Sequence, residues 1–320
     1  MSTAPIAPVS VGTQCARTVL MVRPATFYAN PETLPTNAFQ HAVRLAPAET
    51  LAAAQAEFDR AADALAAAGA DVVVAAADPA ADTPDAIYPN NWFSTHSDGR
   101  LVLYPMAVPS RRRERRPELI VALAARHGWR MTTTLDFTHL EARGEYVEGT
   151  GSLVFDHGAR LAYAALSPRT HSGAVDAVCR ALGYAPVEFH AHDAAGREVY
   201  HTNVLMAVGP ALAVLASGLV VPGADLRRVF DALEGSGKAL LDISGEQVAA
   251  FAGNLLFIDG GRQGPLAAVS RRAWGSLTRA QRALLEQHAR PVICAVETIE
   301  HIGGGGIRCM LAEIFLPRRG

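Results

Sequence analysis

The chain has 320 residues, half of them apolar and 19% charged, with a formal net charge of −2. That length and composition exclude a disordered chain and allow one large domain or two smaller ones around a substantial core. The near-neutral charge gives no bias toward nucleic acid or an anionic membrane. The basic run Arg111-Arg112-Arg113-Glu114-Arg115-Arg116 reads as the start of a surface helix, with Glu114 interrupting it. Cys15, Cys179, Cys294 and Cys309 lack CxxC spacing, which argues against a zinc site or a disulfide framework and suits a reducing cytosol. No charge precedes Arg17 and no apolar leader follows it, so no secretory signal is expected. The charge-free stretch from Val204 to Ala224 is long enough for a membrane span, but Gly209-Pro210 breaks it into two buried strands and a turn. A cytoplasmic protein is the expectation, with no nucleic-acid or membrane partner.

In chain order, residues 1–16 read as a loose arm and 17–320 as a single domain. Val19-Leu20-Met21-Val22 is a buried strand. Pro47 to Ala68 carries Leu51, Phe58 and Leu65 on one stripe and stops at Gly69, an amphipathic helix followed by the strand Asp71 to Val74. Leu101 to Tyr104 is a strand, Pro117 starts a helix ending near His127-Gly128, and Trp129 to Thr134 is a strand. Leu153 to Phe155 turns into Leu161 to Ala164, a helix runs toward Leu182-Gly183, and Val187 to Phe189 returns. A hairpin at 204–216, a helix from Asp225 and a strand from Ala239 to Ile243 form the next unit. A hairpin around Asp259-Gly260-Gly261, a helix from Thr278 to His288 and a strand from Val292 to Val296 form another.

The order hairpin, helix, strand is therefore repeated. Asn91, Glu148, His201, Asn254 and Cys309 are separated by 57, 53, 53 and 55 residues, and each opens an apolar strand. A radial arrangement of the units would turn these five side chains toward one central channel. The N-terminal strand, helix and strand would then complete the fifth unit.

The chemistry concentrates at the C-terminal unit. Gly303 to Gly306 lead into Arg308-Cys309. Four consecutive glycines carry a large backbone entropy cost, tolerable where the chain takes positive φ or passes close to another group. A thiol beside a cation is a candidate nucleophile, and a half-buried core cysteine after a flexible turn is the bland alternative. Cys309 as nucleophile, His201 as proton carrier and Glu148 as the carboxylate that holds the electrophile can meet from three units. Taken singly, Glu148 could belong to a tight turn, and His201 is one of eleven histidines. Asn203 would share a strand face with His201 and could orient the ring or meet substrate.

Four blocks carry a resemblance: Val147-Glu148-Gly149-Thr150-Gly151-Ser152, Tyr200-His201-Thr202-Asn203-Val204, Phe251-Ala252-Gly253-Asn254 and Gly303 to Met310. Together they resemble the guanidino-group-modifying superfamily. Met21-Val22-Arg23-Pro24, Asn37-Ala38-Phe39-Gln40 and Tyr88-Pro89-Asn90-Asn91-Trp92-Phe93 resemble its citrulline hydrolase (citrulline ureidase) branch. The resemblance runs from about residue 17 to the end. It implies the α/β fold of a five-bladed propeller (the pentein fold) and covalent catalysis without metal or cofactor. Cys309 matches the nucleophile, His201 the general acid/base and Glu148 the carboxylate that binds a substrate nitrogen. Arg169 resembles the arginine that grips the substrate carboxylate through bidentate pairing, with Arg111 as a second clamp.

Two departures bear on the substrate. Arginine deiminases carry Asp at the positions of Asn91 and Asn203, and two amides suit a neutral ureido group better than a cationic guanidinium. An Asn at the first position also occurs in the succinylarginine dihydrolase branch. The resemblance thus implies hydrolysis of citrulline to ornithine, ammonia and carbon dioxide, with a small amino acid as the partner and a homo-oligomer left open. An arginine, methylated-arginine or succinylarginine hydrolase of the same fold, and a non-catalytic binding scaffold, are the alternatives.

Overall fold

Each anticipated hairpin is present, and each is extended by a third strand that arrives through a helix. The computed structural model describes residues 11–41 and 46–319. The strands are β1 (Thr18–Arg23), β2 (Asp71–Ala76), β3 (Phe93–Thr95), β4 (Arg100–Leu103), β5 (Thr133–Asp136), β6 (Val154–Asp156), β7 (Leu161–Ala165) and β8 (Ala185–Phe189). They continue as β9 (Met206–Val208), β10 (Leu212–Leu215), β11 (Ala239–Asp242), β12 (Leu256–Asp259), β13 (Pro265–Ser270), β14 (Arg290–Cys294) and β15 (Ala312–Ile314). They form five three-stranded sheets: β3-β4-β5, β6-β7-β8, β9-β10-β11, β12-β13-β14 and β15-β1-β2.

In four of them the first two strands pair antiparallel and the third adds in parallel, as in Val154↔Tyr163 and Tyr163↔Val187. A parallel neighbour needs a crossover, and the helices Pro117–His127, Ser172–Leu182, Ala224–Gly235 and Arg279–His288 supply it. The helix starts are legible in the chain. Proline occupies the first turn of Pro47–Ala67 and Pro117–His127, and Thr278 with Gln281 forms a capping box before Arg279–His288. The ends at Gly128 and Gly183 take φ of 67° and 74°, the left-handed cap that glycine adopts without strain.

The fifth sheet joins the two ends of the chain. Strand β1 pairs antiparallel with β15 and parallel with β2 across the helix Pro47–Ala67. The N-terminal segment therefore completes the C-terminal unit, as the repeat required. The first strands of the sheets also lie side by side: β15 packs against β3, β6 against β9, and β9 against β12.

Two boundaries differ from expectation. The strand placed at 129–134 begins only at Thr133, because Trp129 pairs in an isolated bridge with Arg318. The loose arm does not extend to residue 16: residues 11–14 form a helical turn, and Gln14, Cys15 and Ala16 are buried. Gln14 Nε2 donates to the carbonyls of Phe155 and Val208, tying two sheets together; its amide oxygen accepts from the His157 amide. The rest of the arm, residues 1–10, lies outside the described residues.

A second tie between sheets is ionic. Lys238 Nζ lies 3.3 Å from Asp156 Oδ2 with both side chains at zero exposure, and it donates to the Pro210 carbonyl. Removing one partner strands the other charge in the interior. Lys238→Met should lower unfolding free energy by about 3–5 kcal/mol in urea titrations. Replacing Asp156 by Leu in the same protein should recover much of that loss.

Candidate active site

Just ahead of the first strand of each sheet, four of the five chain segments make one short helical turn. Asn91 ends the turn Pro89–Asn91 before β3. Glu148 and His201 immediately precede the turns Gly149–Ser152 and Thr202–Leu205, and Cys309 sits within Ile307–Met310 before β15. Asn254 reaches the same level two residues ahead of β12. The five positions of the repeat therefore share one local geometry, a helical turn or tight bend where an extended strand start was expected. Strand alternation does not relate His201 to Asn203; the helical turn does.

The structure brings the expected residues together. Cys309, His201, Asn91, Arg169 and Arg111 line one narrow cleft, with Thr33, Asn37, Asp85, Tyr88, Tyr200 and Gly303 to Gly305. Glu148, fully buried, stands behind His201. Its Oε2 is 2.8 Å from His201 Nε2 and 3.7 Å from Arg169 Nη1, and its Oε1 accepts from the Ala107 amide. Burial pushes the Glu148 carboxyl up, but Arg169, His201 and Arg111 overcome it and hold the group at about 2. Glu148 is thus ionised across the neutral range, so His201 carries its proton on Nε2 and keeps a lone pair on Nδ1. Burial lowers the pKa of His201 and Glu148 only partly restores it, leaving the ring neutral near pH 7. Gly151 leaves room at that ring: a Cβ there would lie 2.8 Å from Nδ1.

The thiol differs from expectation. The adjacent cation, Arg308, is turned to other partners: it donates to the Leu311 carbonyl and pairs with Glu313 at 3.3 Å. Burial raises the pKa of Cys309 above its ordinary value, against lowering contributions from Asn254, Arg308 and Asn203. It is a protonated thiol near neutral pH, in the same cavity as the neutral imidazole.

The glycine loop is held by three side chains. Tyr88 Oη donates to the Ile299 and Gly305 carbonyls, Tyr200 Oη to the Gly304 carbonyl, and Asn37 Nδ2 to the same carbonyl. Gly304 has φ of 67° as the cap of the helix Glu297–Gly303, and a Cβ on Gly303 would collide with the Tyr88 hydroxyl. The thiol's position is therefore set by close approach of aromatic rings to bare backbone.

The two arginines are placed differently from one another. Arg169 turns Nη1 toward Glu148 and lays its other edge on Thr36 Oγ1 and the Thr33 carbonyl, over the Tyr200 ring. Arg111 is not a free clamp. Its Nε and Nη2 form a buried bidentate pair with Glu114, Nη2 also donates to the Tyr88 carbonyl, and Nη1 donates to Asn91 Oδ1 at 2.9 Å. The Asn91 amide is thereby oriented with Nδ2 away from Arg111. Glu114, which looked like an interruption of a basic surface run, is the buried partner of Arg111.

Asp85 escaped the sequence reading. It is buried in the cavity wall, accepts from Asn30 Nδ2 at 2.8 Å and lies 3.8 Å from Arg111 Nε. The only signal was its place three residues before Tyr88. Among the described residues, no group of three or more His, Cys, Asp or Glu is arranged to hold a metal.

The family profile described as N,N dimethylarginine dimethylhydrolase, eukaryotic, matches residues 23–316. The chain belongs to this family. As a member of the dimethylarginine dimethylhydrolase family it is a guanidino-group-modifying enzyme and a C–N hydrolase. No curated protein matches it. Solved structures share its fold. Apo ArgZ, described as an arginine dihydrolase from the ornithine-ammonia cycle in Cyanobacteria, has a TM-score of 0.70 at 14% identity, over 94% of this chain and 41% of that one. This chain thus spans about two fifths of full-length ArgZ. The substrate-bound N-terminal domain of ArgZ gives 0.69 at 15% identity, over 93% and 99%. A dimethylarginine dimethylaminohydrolase adduct with S-methyl-L-thiocitrulline gives 0.63 at 15%, over 93% and 100%. The expected citrulline branch gains no support here: these descriptions name arginine dihydrolases and dimethylarginine hydrolases. The sheets form the α/β architecture shared with these pentein neighbours.

With the site empty, neutral Cys309 should resist alkylation. Inactivation by iodoacetamide should climb about tenfold per unit between pH 7 and 9, following the rising thiolate fraction. A plateau reached by pH 7 would mean a preformed thiolate.

Proposed function

We propose that this family member hydrolyses a C–N bond at the guanidino carbon of an arginine-type amino acid through a covalent intermediate on Cys309. The observation that carries this is the single cavity in which a buried thiol, a Glu148-held histidine and a carboxylate–guanidinium pair stand together. Arg169 would take the α-carboxylate, and Asp85 the α-ammonium group. Glu148, ionised and charge-compensated, would accept from the guanidinium nitrogens.

Entry of a cationic guanidinium favours the thiolate. The Cys309 proton passes to His201, and sulfur bonds to the guanidino carbon. The tetrahedral adduct then loses ammonia, or a methylamine from a methylated substrate, which departs with the proton from His201. Water, deprotonated by the same imidazole, attacks the S-linked amidinium carbon. Breaking the C–S bond releases citrulline and restores the thiol.

A second reading has its own support. Arg111 occupies Asn91 Oδ1, and one N–H of Asn91 Nδ2 donates to the Glu148 carbonyl at 3.4 Å, which leaves its second N–H as a donor for substrate. A donor suits the oxygen of a ureido group better than the NH₂ of a guanidinium, and Asn203 adds no charge. With citrulline, thiolate attack and loss of ammonia would give an S-linked thiocarbamate. Water would release the carbamate, which breaks down to ornithine and carbon dioxide.

The five sheets, with their first strands side by side and the two chain ends joined in one of them, support a radial five-bladed propeller built as one unit from residue 17 onward. The four unpaired cysteines suit the expected cytoplasmic setting.

Mixing stoichiometric protein with arginine, dimethylarginine or citrulline, followed by intact-mass and product analysis, decides between the readings. An adduct with an arginine and citrulline as product supports the first. An adduct with citrulline alone and ornithine as product supports the second. Absence of any adduct, or full turnover by Cys309→Ala, rejects both. In steady-state kinetics, Asp85→Asn should raise KM at least tenfold with kcat little changed. Glu148→Gln should lower kcat by about 10²–10⁴-fold.

A further inference from the structure

Cys309 Sγ is buried and has no cation directed at it, yet it must carry negative charge when it attacks and when it leaves. Two side-chain amides aim N–H groups at it. Asn254 Nδ2 is 3.3 Å from Sγ and Asn203 Nδ2 is 3.6 Å away. Asn254 is itself anchored, since its Nδ2 also donates to the Asn203 carbonyl at 3.0 Å. Its amide plane is confined on the other side: a Cβ on Gly306 would stand 2.7 Å from Oδ1. Oδ1 has no hydrogen-bond partner although it is buried. A buried amide that leaves its oxygen unsatisfied to direct its nitrogen at sulfur gives up stability for that contact.

We propose that Asn254, assisted by Asn203, forms a thiolate hole: its N–H stabilises the Cys309 sulfur as an anion and aims it at the reacting carbon. This rests on Cys309 being the nucleophile and assigns a catalytic role to the fourth position of the repeat. An amide donor loses little when the sulfur is neutral and gains strength when it is charged, so its effect falls on the ionised states of the reaction.

Asn254→Asp keeps the shape and replaces the donor by an acceptor; Asn254→Ala removes the group. The pH dependence of Cys309 alkylation by iodoacetamide, followed by peptide mass in substrate-free protein from pH 7 to 10.5, reads the thiol directly. The half-maximal pH should rise by about one unit or more in both variants, further in Asn254→Asp. Turnover should show kcat reduced at least tenfold with KM within threefold of the parent. Alkylation profiles that superimpose on the parent's in folded variants would overturn the proposal. The profile needs no substrate, so its failure is distinct from failure of the proposed reaction, which the adduct masses test. If Asn254→Asp does not fold, Asn254→Ala carries the same comparison, and an unchanged profile there is equally decisive.

Discussion

A carboxylate without any exposure to water, Glu148, is the constraint on which the rest of the site depends. An isolated buried carboxylate would take up a proton, so its ionisation requires charge partners at close range. Arg169 supplies that charge, and the neutral His201 ring and the Ala107 amide add hydrogen bonds. Because Glu148 can only accept, it determines the tautomer of His201. Arg169, which helps keep it ionised, also lines the cavity. Loss of the negative charge would release all three groups at once.

A second network supports the first. Arg111 is locked between Glu114 and Asn91, with Asp85 alongside, and sets which end of the Asn91 amide faces the cavity. Burial pushes Glu114 up to about 7 despite Arg111, and raises Asp85 as well. A guanidinium from the substrate, or its ammonium group, would add positive charge where these carboxylates are costly to ionise.

Much of this was legible along the chain. The helix Pro47–Ala67, the hairpins β6-β7, β9-β10 and β12-β13 and the repeat at Asn91, Glu148, His201, Asn254 and Cys309 follow from periodicity, proline and glycine, which act locally. Of the repeat positions, Asn91, His201 and Cys309 line one cavity, joined there by Arg169 and Arg111, which the spacing did not place. What misled the reading depends on side-chain direction. Arg308 is next to Cys309 in sequence yet turns to Glu313. Arg111 and Glu114 look like a solvated charge run, and the fold buries them as a pair. Asp85 carries no motif of its own.

Residue type and spacing by themselves singled out Cys309, His201 and Glu148 as candidates and the repeated α/β pattern, and the resemblance of the motif blocks implied the hydrolase chemistry. Only the tertiary structure decided how each group is charged and aimed. Four glycines beside a cysteine point to positive φ or close approach; only the fold names Tyr88, Tyr200 and Asn37 as the side chains that hold the loop. A neighbouring arginine read as the thiol's activator; Asn254 and Asn203 stand at the sulfur instead. Ionisation and orientation depend on burial and on partners distant in the chain, and these exist only once the sheets have packed together.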